Sequence, residues 1–412
     1  MTITPAEKFE ERVNLIEDTI ALKETPRVVN AIRVNSYPYY EYGVTIRESI
    51  TDYEKAAEAY IRFHKEFQPD VASPFAAQVS APVLENMDVK CLRWAGHGLS
   101  ENSTIQFIEY PTIEDDEYEE FFTDPAGFAY RKWLPRMAGV FEPFSKIDYV
   151  KLMTSNYRGP QNTFLSPALV ESYRKLIAAY EEQQKFMLQA KKCIIRLKEE
   201  GFPPFSGGTS IAAFDMLADC LRGTFGIMVD LVERPEIVKK CCDIFVKFSI
   251  QLSLDAFKAS GNKFQWIVLH KGFDNFISDE MYGEFYWPYL QQWILSLVEN
   301  GLVPVVFCEG PYTTRLKYLR EVPKGKVIYY FENVDMKLAK KALEGTACIM
   351  GGFPLNLVSQ GTPDAIRDKV KEYMDIMAPG GGYMFGLSAS LESAPRANVE
   401  ALFEAVELYG KK

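Results

Sequence analysis

The sequence predicts an α/β protein, a barrel of repeated strand–helix units preceded by a helical N-terminal extension. Three observations carry this reading. From Asp70 onward, short apolar runs bounded by Gly and Pro alternate with amphipathic helical stretches, the pattern of parallel strands joined by crossover helices. Five strand candidates crowd into roughly 120 residues of the C-terminal half, a barrel-like rhythm. Residues 1–68 instead carry helical patterning, broken by the Tyr-rich loop Ser36–Gly43. The expected division is therefore a cap over 1–68 and a barrel over 69–412.

The strand candidates are Phe264–His270, Val303–Phe307, Lys326–Phe331, Thr346–Met350 and Gly382–Phe385. Helices are expected over Asp279–Asn300, after Tyr312, over Asp335–Leu343 and over Thr362–Met377; the last opens on a Thr-Pro pair suited to an N-cap and first turn. On this reading the carboxyl ends of the strands fall at His270, Cys308, Glu332 and Cys348–Gly351, the rim on which such barrels place their chemistry.

Composition narrows the function. With 412 residues, 47% of them apolar and 14% aromatic, the chain can bury one large core. A net charge of −10 argues against a nucleic-acid partner, which needs clustered Lys and Arg. The densest charge run, Glu114–Glu120, is acidic and reads as a solvated face. There is no apolar stretch of about 18 residues and no basic-then-apolar leader, so a cytoplasmic protein is expected. Gly380-Gly381-Gly382 lacks the Lys-Ser/Thr of a phosphate loop, and neither a dinucleotide fingerprint nor a serine elbow occurs.

Seven scattered cysteines suit reduced thiols better than a disulfide framework. Cys308 and Cys348, at or near strand ends, are the two that could share a barrel mouth. Thiolates bind Zn²⁺ tightly, and a catalytic zinc takes about three protein ligands. Burial as apolar thiols is the other reading of that pair. Cys91, Cys193, Cys220, Cys241 and Cys242 lie among apolar residues and are expected in packing roles. Of three histidines, His64 sits on a charged helix and reads as a surface residue. His270, at a strand end before Lys271-Gly272, is placed to bind substrate or act as an acid, unless it is structural. His97 lies between Gly96 and Gly98, which permit close approach of a ligand or simply form a turn.

The segment Ala213-Phe214-Asp215-Met216-Leu217-Ala218-Asp219-Cys220-Leu221-Arg222-Gly223, running to Arg234-Pro235-Glu236, resembles the uroporphyrinogen decarboxylase superfamily. So does Phe276-Ile277-Ser278-Asp279-Glu280-Met281 with Phe285 and Pro288. Trp94-Ala95-Gly96-His97-Gly98-Leu99 and Leu134-Pro135-Arg136 extend the likeness to most of the chain. The resemblance implies a TIM (β/α)8 barrel. The Arg-rich segment with which true decarboxylases grip tetrapyrrole propionates has no counterpart here. The coenzyme M methyltransferases of the superfamily carry a His-x-Cys pair and a later Cys; Cys308 matches the first Cys, but Val306 and Ser388 stand near the other positions. Ether-cleaving corrinoid methyltransferases of anaerobic O-demethylase systems resemble Asp-x27-Cys-x39-Cys, and Glu280-x27-Cys308-x39-Cys348 fits that spacing with Glu for Asp.

This likeness implies a Zn²⁺ held by Glu280, Cys308 and Cys348, with Asp274, Asp279 or Glu309 as other candidates for the carboxylate. It implies transfer of a methyl group from a methoxylated aromatic compound to the Co(I) of a cobalamin carried by a partner corrinoid protein. His270 and His97 would orient the donor or protonate the leaving oxygen, and Trp94, Phe214, Tyr383 and Phe385 would wall the ring pocket. A homodimer is compatible with this reading. Rival readings are methanol, methylamine or thiol chemistry on the same barrel, or a non-catalytic barrel that binds a tetrapyrrole or corrinoid.

Overall fold

The computed structural model describes residues 3–73 and 79–411. Its centre is a parallel sheet in the order β1 (Val29–Asn30), β10 (Tyr383–Phe385), β9 (Cys348–Gly351), β8 (Ile328–Asn333), β7 (Val303–Pro311), β6 (Phe264–Leu269), β5 (Gly208–Ile211). The segment Asp70–Ser73 joins the two edges. The Asp70 amide donates to the Asn30 carbonyl at 2.8 Å and the Ala72 amide to the Pro203 carbonyl at 2.9 Å, with Ala72 bridged to Pro204. With this eighth stave the sheet closes as a (β/α)8 barrel. A small sheet of β2 (Leu92–Ala95), β3 (Gly98–Leu99) and β4 (Gln106–Phe107) lies outside it.

The five predicted strands are all present. The cap boundary is corrected, because β1 lies inside residues 1–68 yet pairs with β10 through Val29–Met384 and Asn30–Phe385. What does act as a cap is the helix Pro5–Ile20, which opens on a Thr4–Glu7 capping box. Its Leu15, Ile16 and Ile20 join the lumen residues Val29, Val305, Ile328 and Cys348 in one buried cluster, closing the barrel from below. The helix expected over Asp279–Asn300 is three pieces, Asp279–Met281, a π-helical turn Tyr282–Tyr286, and Trp287–Glu299. Among the described residues no helix is long and apolar enough to cross a membrane.

Three further expectations change. His64 is fully buried, not at the surface: it lies on the inner face of the helix Tyr53–Phe67. Its Nδ1 is 2.7 Å from the Tyr60 carbonyl, and its Nε2 accepts the Ser73 amide at 3.0 Å. Cys193, Cys241 and Cys242 are buried as expected, but Cys220 is exposed, because a π-helical turn at Ala218–Arg222 rotates it off the core face. In the acidic run, Glu117 is buried and meets both guanidinium nitrogens of Arg136 at 2.6 and 2.8 Å.

Barrel closure rests on a charge cluster. The Asp70 carboxylate, 4% exposed, accepts both Arg27 nitrogens at 2.5 and 2.9 Å and the Asn30 amide at 2.7 Å, with Arg12 Nε at 3.4 Å. Removing the acid leaves Arg12 without its counter-charge at the seam, so Asp70→Ala is expected to cost about 3 kcal/mol in denaturant unfolding. His64 gives a second expectation. Burial, only partly offset by its bond to Tyr60, lowers its pKa to about 4. As pH falls below the unfolded value, the unfolded chain takes up a proton that folded His64 refuses. Stability is then lost between about pH 6.5 and 4, by about 3 kcal/mol. NMR titration should find one histidine ring with its midpoint near 4.

Candidate active site at the barrel mouth

Side chains alternate along the barrel strands. Val305 and Phe307 of β7, Ile328 and Tyr330 of β8, and Val29 and Ala31 on β1 and just after it all belong to the lumen cluster, so Glu309, Glu332 and Arg33 continue those faces to the carboxyl-end rim. β6 delivers His270 and Lys271 as it ends at Leu269. After β5, the helix Ala213–Leu217 and the π-turn Ala218–Arg222 supply Asp215 and Asp219.

These groups form one network. His270 Nδ1 donates to Asp219 at 2.6 Å, and Lys271 Nζ donates to the other oxygen of Asp219, also at 2.6 Å. Lys271 additionally lies 3.5 Å from Glu109. The second ring nitrogen of His270 points towards Glu309 at 3.5 Å, with the two side chains 35% and 41% exposed. Asp215 is wholly buried and accepts the His270 amide at 2.8 Å, the Lys271 amide at 3.0 Å and the Tyr286 hydroxyl at 2.6 Å.

The environment sorts these groups by charge. Burial pulls the His270 pKa down, but the Asp219 hydrogen bond and the charges of Asp215, Glu309 and Asp219 outweigh it, so the value is raised. Burial pushes Asp219 up, yet donation from His270 and Lys271 leaves it lowered. Burial dominates at Asp215, pushed up to about 6 despite its donors, and at Glu309, also raised. The pair thus favours the protonated form of the imidazole and the ionised form of the carboxylate, facing an open rim.

Arg33 was not singled out from the sequence. Its guanidinium lies 3.9 Å from the centre of the Trp266 ring, and burial lowers its pKa, only partly countered by Tyr330 and Tyr60. Among the described residues no carboxylate pairs with it and no acceptor takes its protons. Its signal was the alternation Val29, Ala31, Arg33, hidden because β1 is two residues long.

The predicted zinc set is not assembled. Cys308 is opposite Phe331 on β8 and belongs to the core between barrel and helices. Cys348 is opposite Ile328, begins β9, and faces the lumen floor. The two thiols thus lie on opposite faces of the sheet and three residues apart along it, about 10 Å. Burial raises both thiol pKa values. Glu280 is exposed on the turn Asp279–Met281. Of the other carboxylates, Asp274 is held by Thr314 and Asp279 by Arg315 and Lys317. Among the described residues no three His, Cys, Asp or Glu side chains are grouped to hold a metal ion. The chain's Glu280, Cys308 and Cys348 do not fit the zinc.

The other predicted site residues divide likewise. His270 is at the rim. His97 is exposed in the turn between β2 and β3, stacked on Trp94 at 4.1 Å. Trp94 is buried in the outer core, as are Phe214, Tyr383 and Phe385; Phe214 packs on Tyr286 and Phe385 on Phe353. The aromatics of the lumen cluster are instead Phe205, Phe264, Trp266, Phe307 and Tyr330. On β10 it is Met384, between Tyr383 and Phe385, that turns inward.

No curated protein matches the chain. Among solved structures, a methyltransferase from Methanosarcina mazei is similar over 99% of both chains, with a TM-score of 0.62 and 15% identity, a likeness of fold. Residues 158–409 match the family Uroporphyrinogen decarboxylase (URO-D). That span is more than half of the chain, and it contains the strands β5–β10 and every member of the His270 network except Glu109. The chain belongs to the uroporphyrinogen decarboxylase family.

Proposed function

We propose that the protein is a methyltransferase that takes the methyl group of a methoxylated aromatic carboxylate and passes it to an acceptor brought by a partner protein. The observation that carries this reading is the His270–Asp219 pair, with the second ring nitrogen turned to an open, charged rim. The similarity of fold to the methyltransferase from Methanosarcina mazei supports it. The proposed acceptor is the corrinoid of a partner, whose Co(I) supplies the nucleophile.

The chain's own residues handle the donor. The O–CH₃ bond breaks as the methyl carbon bonds to the nucleophile, and the electron pair stays on the aryl oxygen. His270 Nε2 gives that oxygen its proton, so that the product leaves as a phenol; Asp219 holds Nδ1–H and stabilises the imidazolium before transfer. Arg33 pairs with the carboxylate of the ring, with the face of Trp266 behind the guanidinium. The lumen aromatics Phe307 and Tyr330 flank the aryl group.

Supplied with a reduced corrinoid protein and a methoxybenzoate, the enzyme is expected to release one phenol per methyl transferred. His270→Gln should lower kcat by about 100-fold or more; an unchanged rate would sink the role of His270, and the absence of phenol from every methoxyarene would sink the reaction. Since the proton donor is His270 in its acid form and its pKa lies above the usual value, activity should be full at lower pH and decline as pH rises through that raised pKa. Arg33→Met should raise KM for carboxylated donors by about tenfold or more and leave uncarboxylated methoxyarenes unaffected; equal effects on both classes would return Arg33 to a structural role.

A further inference from the structure

The rim reading assigns no task to Asp215, a fully buried acid whose partners are two consecutive backbone amides and a tyrosine. In an extended strand successive N–H groups point to opposite sides, so one carboxylate cannot receive both. It does so here because the chain leaves β6 at Leu269 and bends through His270 and Lys271. The same bend brings two adjacent side chains, which a strand would send to opposite faces, onto the single carboxylate of Asp219. Asp215 and Asp219 are four residues apart on one helical segment, so one element grips the dipeptide twice: by its backbone and by its side chains. Tyr286, 1% exposed, donates its hydroxyl to the same Asp215 oxygen that accepts the His270 amide.

We propose that Asp215 is a positioning residue, which by capturing the His270 and Lys271 amides sets the bend that aims the His270 ring at the rim. The consequence for turnover rests on the methyl-transfer reading; the positioning itself does not.

The test is ring titration of histidine-labelled, full-length protein by NMR. With three histidines each signal is resolved, and buried His64 reports an intact fold. In Asp215→Asn, which keeps the size but loses the charge and the double acceptor, the His270 midpoint should fall by about one unit while His64 is unchanged. kcat should drop by roughly 100-fold with little change in KM. Tyr286→Phe removes one donor and should move His270 less, in the same direction; it carries the test if Asp215→Asn does not fold. A His270 ring that titrates as in the parent, with the His64 signature retained, overturns the proposal. Because the titration uses neither donor nor acceptor, failure of the methyl-transfer reading appears separately, as a shifted His270 without phenol release from the parent enzyme.

Discussion

Side-chain alternation along the closed sheet is the constraint on which the rest of this structure depends. Each barrel strand offers one row to the lumen and the other to the surrounding helices, and a shift of a single residue would exchange them. Along β7 the inward row runs Val305, Phe307, Glu309; along β8 it runs Ile328, Tyr330, Glu332; and from β1 it runs Val29, Ala31, Arg33. Each row begins apolar and ends charged or carrying a proton. Stacked side by side and closed below by Leu15, Ile16 and Ile20, these rows make a dry floor under a polar rim. Charges on such a rim interact through a medium far less polarisable than water, which is why a single Asp219 raises the pKa of both His270 and Lys271.

The same alternation explains which parts of the site could be read from sequence. Apolar runs bounded by turn residues mark the strands well, and counting to their ends places His270 and Glu332 at the rim. Whether a residue faces the lumen is a matter of parity, and spacing along the chain does not carry it. The intervals Glu280-x27-Cys308-x39-Cys348 match a ligand pattern numerically, yet they deliver one exposed carboxylate, one thiol behind the wall and one thiol at the floor. Tyr383 and Phe385 fail for the same reason by one residue, with Met384 taking the inward place. Arg33 and Asp215 were invisible for a different reason. Their roles depend on partners more than fifty residues away, brought close only by closure of the barrel, and β1 is too short to show its own periodicity.

Two of the π-helical turns add a second layer of control. Ala218–Arg222 follows the helix that carries Asp215, and the extra residue in that turn changes which side chains face the barrel. Asp219 reaches His270 while Cys220 beside it is turned out to solvent. Tyr282–Tyr286 does the same on the far side, where it ends by placing the Tyr286 hydroxyl on Asp215. Both irregular turns therefore meet at one buried carboxylate. That is a reason for each to persist although π-turns are less favourable than continuous α-helix.

The distribution of satisfied and unsatisfied charge indicates where a ligand would act. Asp219 is saturated by two cations, Asp215 by three neutral donors, and Glu332 receives the Gly310 amide at 2.6 Å. Among the described residues, those left incompletely paired at the rim are Glu309, which has His270 at 3.5 Å, and Arg33, which has an aromatic face. A guanidinium held inside a barrel without a counter-charge is costly, and the Trp266 ring returns only part of that cost. Among the described residues no carboxylate supplies that counter-charge, and an anionic group entering by the rim would supply it. An anionic group seated on Arg33 would hold the rest of its molecule at the rim, between the lumen aromatics below and the ring nitrogen that His270 turns towards Glu309.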